Sequence, residues 1–420
     1  QMANQFLNAT EYANAFLVLL KNQLVAAKLV TGEFRDEVTD ENGLSVNIKR
    51  PPRFIANDGA ALAAQDIVTG STNVRVDQYK NVHVSVGDLE YVQSFNELIK
   101  NETLKSAASE LAHTIDGAIL NEMKFFHSSV GTPGNVIGTP QQFNAAHTRL
   151  MNQAVPNESI NAIVSFDDGA AIRGSLIGGD IPGINRTALE RVRIPLISEI
   201  DLYASNNLRS VVSGTRTGGT GPAVNGAGQN VNYRDVKDTN VQTLNVDGLG
   251  ANATVAQGDI FTIAGVFAIN PRSREVLPYL QQFVVMADAT ASGAGAAALT
   301  VSMPIIVPGT NDGTSTVANT AFATVSAAPA DNAAIQFYAG ANARVPVRAA
   351  FHRRAISLVS ARLAMPFTGE ASFVTDPDTG VSVRYWRGSD IQTGAHIHRF
   401  DTIYGVDNIQ PMLGVRVNGS

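Results

Sequence analysis

Seven histidines, two aspartate-rich turns and one glycine-rich run are where this 420-residue sequence could hold chemistry. His396 and His398 stand two apart, which places both rings on one face of a strand, the spacing of a two-ligand metal site. A metal site needs three or four convergent ligands, and neither a carboxylate pair nor a third histidine stands near them in the sequence. They read as surface or core residues. His113 falls within a helical run and reads as a helix-face residue rather than a general base. The glycine-rich run Gly214-Thr215-Arg216-Thr217-Gly218-Gly219-Thr220-Gly221 lacks the Lys-Ser/Thr ending and the following helix of a phosphate-binding loop, so it reads as a plain loop. Asp167-Asp168-Gly169 and Asp376-Pro377-Asp378-Thr379-Gly380 are fragments of a calcium loop without its alternating ligands and final Glu, and read as turns. There is no Gly-x-Ser-x-Gly elbow and no cysteine, which removes an α/β-hydrolase nucleophile, thiolate chemistry, disulfides and Cys-held metals. No catalytic residue, cofactor or metal is expected.

Composition points the same way. Charged residues make up 16% of the chain, against a usual value of about 25%. A surface so poor in charge suits extensive contact with other subunits, and a Gly/Ala-rich β protein would also have it. The net charge of -6 argues against a dedicated DNA binder, which would place cations against phosphates. The most apolar stretch, Ala15 to Leu20, is too short to span a bilayer, and Glu11 before it denies it a basic leader, so no membrane association is expected.

The elements follow from periodicity. Residues 8–31 predict an amphipathic helix with Phe16, Leu17, Leu20, Leu24 and Ala27 on one face. That face packs on its own domain or, as an arm, on a neighbour or scaffold. Residues 45–87 predict a long β-excursion in which Val46 and Ile48, Val74 and Val76, and Val82, Val84 and Val86 alternate with polar residues. Lys49, Arg50 and Arg53 flank two prolines on it, forming either a solvated basic tip or inter-subunit ion pairs. A short helix is expected over 89–99, capped by Asp88. A long one is expected over 102–126, capped by Asn101, with Leu104, Leu111, Ile115, Ile119 and Met123 in phase. Thr139, Pro140 and Gln142 predict the start of another, over 140–152.

From Ser213 to Gln229 the chain reads as a flexible loop. Six strands are then expected near Val241–Val246, Ile260–Ala268, Phe283–Met286, Leu299–Met303, Ala321–Val325 and Ile335–Tyr338. Segment 210–343 holds only 5 basic and 8 acidic residues and no His, which sets it apart as a separate small barrel or sandwich inserted into the first domain. Its strands can pair among themselves, so it is expected to help the subunit fold.

Two C-terminal stretches carry a family resemblance. Ala350-Phe351-His352-Arg353-Arg354-Ala355-Ile356, followed by Ala364-Met365-Pro366, resembles a strand of many major capsid proteins of tailed bacteriophages. Phe400-Asp401-Thr402-Ile403-Tyr404-Gly405-Val406, ending in Pro411 to Val417, resembles their final strand. The layout is similar to the Hong Kong 97-like coat fold, an α+β class, over essentially the whole chain. Gly258-Asp259-Ile260-Phe261-Thr262-Ile263-Ala264-Gly265-Val266 looks like a strand of the domain inserted in coat proteins of short-tailed phages.

The resemblance implies an N-terminal arm at 1–35, an extended loop at 36–88, a peripheral domain with a spine helix at 89–134, and an axial domain at 135–213 and 345–395. It also implies an inserted β-barrel domain at 214–344 and a C-terminal peripheral strand at 396–420. It implies hexamers and pentamers of an icosahedral shell in the virion, assembled in the host cytoplasm around double-stranded DNA. Scaffolding and portal proteins are implied partners, and a decoration protein is allowed. Phe16, Leu20, Lys49, Arg50 and Arg53 would then contact neighbouring subunits. Lys49 and Lys80 lie on the loop that some members cross-link, but no acidic partner can be assigned, so cross-linking is not expected. With Met2 directly before the arm, neither is a cleaved scaffold domain. The rival readings are an encapsulin-like compartment holding an enzyme, a soluble enzyme, or a surface-binding β protein. The inserted domain, the missing acid–base set, and the long helix without a leader weigh against them in turn.

Overall fold

The computed structural model describes residues 9–33, 44–56, 67–87, 104–177, 199–216, 221–309, 316–390 and 394–420, with isolated positions between. The helix expected over 89–99 and the Asn101 cap lie outside them.

Helix α1 (Ala9–Gln23) is followed by a 3-10 turn, Ala26–Lys28, then by strands β1 (Ser45–Lys49), β2 (Ser71–Arg75) and β3 (Gln78–Gly87). Helix α2 (Leu104–Glu122) leads to β4 (Ser128–Val130), α3 (Gln141–Asn152), β5 (Ile160–Val164), α4 (Phe166–Ile177), β6 (Asp201–Ala204) and β7 (Ser210–Val212). The β-rich run holds β8 (Ala223–Val224), α5 (Tyr233–Val236), β9 (Val241–Asp247), β10 (Thr254–Val255), β11 (Ile260–Ile269) and β12 (Val276–Val285). It continues through β13 (Ala289–Thr290), β14 (Ala297–Ser302), α6 (Thr316–Ala321) and β15 (Ile335–Phe337). Last come β16 (Arg344–Pro346), β17 (Ala349–His352), β18 (Ile356–Ala361), β19 (Glu370–Thr375), β20 (Ser382–Asp390), β21 (Ala395–Asn408) and β22 (Gly414–Val417).

The chain divides into two compact units. The first gathers Gln1–Asn47, Asn73–Leu120 and Ile356–Asp407. Its sheet runs β18-β21-β20-β19, and β3 also pairs with β21 in antiparallel register from Gln78↔Tyr404 to Gly87↔Ala395. So β3 finishes in this sheet instead of closing a hairpin of its own. A polar ribbon of alternating residues is marginal alone and gains by joining a larger sheet.

Helix α1 packs on β19 and β20, with Phe16 stacked on Phe400 at 4.0 Å and Tyr12 against Tyr385 at 5.5 Å. The expected helix over 8–31 stops early, at Gln23. The reason is a buried carboxylate. Asp116 of α2 accepts hydrogen bonds from the backbone N–H groups of Val25 (2.7 Å) and Ala27 (3.1 Å), which cap the 3-10 turn and end the α-helix. Burial pushes the Asp116 carboxyl above its ordinary range, and the donated hydrogen bonds oppose that rise.

The second unit gathers Ile48–Thr72, Asn121–Ala355 and Asn408–Ser420 and holds two main sheets. One runs β4-β22-β17-β5-β6, with β17 antiparallel to β22 and β5, while β22–β4 and β5–β6 are parallel. Phe143, Ala146 and Leu150 of α3 form its core with Ile160, Ala162, Val415 and Val417. At Gly414 a Cβ would lie 2.4 Å from the Phe126 ring, so only glycine fits there. Asp167-Asp168 does not form the expected turn but opens α4. Ser165 Oγ accepts from the Asp168 N–H and Asp168 Oδ2 accepts from the Ser165 N–H, a reciprocal capping box.

The other sheet is antiparallel, in the order β15-β11-β12-β14-β9-β8, over a core that includes Phe261, Phe283, Leu244, Leu299 and Val301. Five of the six expected strands are present in it. The sixth, 321–325, is instead the end of α6 and a single bridge from Val325 to Ala268. Ala318, Ala321 and Phe322 are buried at helical spacing, and Phe322 stacks on Tyr233 of α5, so a helical face replaces the alternation. The run expected to be a flexible loop is tied down in its described part. Gly214 and Thr215 donate to Asp259 Oδ2 and Thr254 Oγ1, and β8 pairs with β9.

A side chain closes the outer edge of β4. The Gln282 amide of β12 accepts from the Ser129 N–H (2.7 Å) and donates to the Ser129 carbonyl (3.0 Å), as a neighbouring strand would. Paired with Ser129 in the β22–β4 register, Arg416, 5% exposed, donates to the Gly258 carbonyl at 2.6 Å. Burial lowers the Arg416 pKa to about 10, and Asp259 opposes the fall.

Candidate assembly surfaces

The histidines and aspartates with suggestive spacing lie in separate settings. His398 is buried and its Nδ1 is hydrogen-bonded to Tyr385 OH at 2.6 Å. Desolvation lowers its pKa to about 4, with Arg387 and His396 adding to the fall. His113 lies on the exposed face of α2. Asp376 accepts from Thr379 N and Oγ1 within the β19–β20 turn and pairs with Lys21 of the arm at 3.2 Å. Asp168 pairs with Arg348 at 2.6 Å, both side chains almost wholly buried. Among the described residues no three His, Asp or Glu side chains are placed to hold a metal ion.

The five residues singled out for contact fall in different settings. Phe16 and Leu20 are fully buried in the first unit, so the apolar face of the arm is covered by its own chain. Lys49 is exposed at the end of β1. Arg50 and Arg53 do not form a solvated tip. Arg50 donates to the Lys237 carbonyl (3.1 Å) and to Thr72 Oγ1 (2.8 Å). Arg53 lies over the Phe322 ring at 5.2 Å and approaches Met412 Sδ at 3.8 Å. Desolvation lowers its pKa, yet a guanidinium so placed stays charged.

Around these two arginines, Ile55 and Val68 pack on a small cluster of Tyr233, Val236, Ile306, Ala321 and Phe322. Ser71 donates to Asp238 Oδ1 and Arg274 donates to the Phe54 carbonyl. Gly70 is required because a Cβ there would lie 2.0 Å from the Lys237 carbonyl oxygen. Nothing in the local sequence of 48–72 announces Asp238 and Lys237, which stand 167 residues from Ser71 and 187 from Arg50.

Large apolar side chains remain exposed elsewhere. Phe367 is wholly exposed on the loop after β18, Ile67 is 72% exposed and Val18 60%. The Phe367 loop is not slack. Arg384 Nη1 donates to the Ala364 carbonyl, and Trp386 Nε1 to the Thr368 carbonyl at 2.9 Å. The loop is thus hydrogen-bonded to β20 at two points and presents an aromatic ring to water. The Met365-Pro366 motif carries no local signal that the next residue is left bare.

A model of the family described as P22 coat protein, gene protein 5, matches residues 2–419. With the match running through every segment described above, this is a capsid protein of a tailed bacteriophage, a structural protein and not an enzyme. The chain belongs to the P22 coat protein family, and its α+β fold is the Hong Kong 97-like capsid fold. Similar solved structures include a chain of Mycobacterium phage Che8, 14% identical over 95% of this chain and 93% of that one, with a TM-score of 0.48. The capsid of Ralstonia phage GP4 is 8% identical over 96% and 91%, with a TM-score of 0.40. The CUS-3 coat protein I-domain is 28% identical over 29% of this chain and 97% of its own, with a TM-score of 0.22. No curated protein matches. The chain is thus a major capsid protein that self-assembles into the icosahedral head of the virion. Among the described residues no helix is long and apolar enough to cross a membrane.

Proposed function

We propose that this coat subunit assembles in the host cytoplasm, as hexamers and pentamers, with a scaffolding protein and around a portal. The closed shell then encloses double-stranded DNA without reading its sequence. The observation that carries this reading is the family match over residues 2–419. The charge agrees with it: a wall of subunits at -6 each has no excess of cations with which to grip its contents. A decoration protein is compatible with the exposed apolar side chains.

The segments take the roles of arm (1–35), extended loop (36–88), peripheral domain (89–134 and 396–420), axial domain (135–213 and 345–395) and inserted domain (214–344). Lys49 on the loop and Phe367 on its braced loop meet neighbouring copies. Phe16, Leu20, Arg50 and Arg53 serve those contacts indirectly, by fixing the arm and the loop on their own subunit. Each contact recurs by symmetry, so modest energies sum over the shell.

The test is to express the full chain with the scaffolding protein of its phage and to image the product by negative-stain electron microscopy. Closed shells, tubes or spirals of regular capsomers support the reading. A small oligomer that never assembles when concentrated overturns it.

A further inference from the structure

Polar side chains of the second unit converge on one small cavity. His127 and Ser128, at the start of β4, are 2% and 1% exposed. Gln153 follows the last residue of α3 and lines the same space, with Arg149, Tyr279 and Gln281 on the wall. About 20 Å³ of the cavity is open to the centre of a water molecule. By that measure one water needs about 10–15 Å³ and two to four polar partners. A phosphate or a carboxylate is too large. Arg149, the cation on the wall, is already engaged, its guanidinium 3.6 Å from the centre of the Tyr279 ring.

The polar atoms around the space are unevenly matched. Gln153 Nε2 faces His127 Nε2 at 3.4 Å, and His127 also faces the Pro411 carbonyl. Three buried atoms on this lining, His127 Nδ1, Ser128 Oγ and Gln153 Oε1, make no hydrogen bond to protein among the described residues, and the last two are oxygens that a water can serve. Buried polar groups are satisfied in folded proteins, by ordered water where no side chain reaches.

We infer that this cavity is a binding site for one ordered water, which bridges Ser128 Oγ and Gln153 Oε1. The site lies where β4 and α3 meet β12, next to the Gln282–Ser129 pair, and hydrates that joint from within. The inference does not depend on shell assembly, because every residue involved belongs to one unit of one subunit.

The test is a map of the folded protein, as particle or soluble subunit, at a resolution that shows other buried waters. A peak within hydrogen-bond reach of both oxygens is expected. A clear map without it, or with Ser128 and Gln153 paired to protein groups instead, overturns the inference. A thermal double-mutant cycle checks it independently with Ser128→Ala and Gln153→Met. Each single substitution lowers the unfolding midpoint, and the double lowers it by less than the sum, because both side chains share one water. Strict additivity overturns the inference.

Discussion

Replacing Gln282 by Leu keeps most of the side-chain volume and removes both bonds to Ser129. The magnitude follows from what is left behind. Gln282 is 3% exposed and Ser129 2%, so no solvent reaches the freed backbone N–H and carbonyl. Each buried group stranded in this way costs about 1–3 kcal/mol. Two of them give a loss of about 2–6 kcal/mol, partly offset by the apolar surface that Leu brings. At a slope of about 1–3 kcal/mol per M, that moves a urea midpoint by about 1 M or more.

The assay is urea unfolding of the soluble subunit followed by far-ultraviolet circular dichroism. Gln282→Glu is the informative companion. It keeps an acceptor for the Ser129 N–H, loses the donor and buries a charge, so it destabilises at least as much as Leu. A Gln282→Leu midpoint within experimental error of the parent would refute the argument that this amide closes the edge of β4.

Other outcomes follow from the same contacts. Arg348→Ala strands the buried Asp168 carboxylate and lowers stability by about 3–5 kcal/mol, measurable in the same urea assay. Phe16→Ala empties the stack on Phe400, costs about 3–5 kcal/mol and raises hydrogen exchange in α1. Stability falls in acid because burial, aided by nearby cations, holds His127 at about 3 and His398 at about 4, both below the ordinary histidine value. A histidine kept neutral by the fold favours unfolding once the unfolded chain takes up its proton. The loss therefore begins as pH drops below about 6.5 and grows until about 4 for His398 and about 3 for His127, and at pH 5 His127 alone accounts for about 2 kcal/mol. His127→Leu flattens that slope in thermal melts across pH. Segment 210–343, expressed alone, unfolds cooperatively, since its six-stranded sheet and its core lie within it; a gradual melt would count against an independent fold.

Where a segment's own residues decide its state, the sequence was readable. The apolar spacing of α2 and the alternation in β1, β2, β9 and β22 are local signals, and each element stands within a few residues of its expected bounds. Where a distant group decides, it was not. The arm helix ends at Gln23 because Asp116, about ninety positions on, caps the turn after it. Arg50 and Arg53 look like a basic tip until Thr72, Lys237 and Phe322 are brought to them. The α4 start has a local signal, since Ser165 and Asp168 have the spacing of a capping box, but Asp167-Asp168-Gly169 taken alone has the composition of a turn.

The chain enters and leaves the six-stranded sheet side by side. Strands β7 and β16 pair in antiparallel register, Val212 with Arg344 and Ser210 with Pro346. Their backbones are therefore only about 5 Å apart, as in the neck of a hairpin. A long excursion that closes at such a neck leaves the strands on either side as a short turn would leave them, and lengthening it adds entropy cost only slowly. The pair is a graft point. An ancestor could have gained the whole segment in one event, and an engineer could exchange it for another fold with adjacent ends, without re-registering a strand of the older sheet.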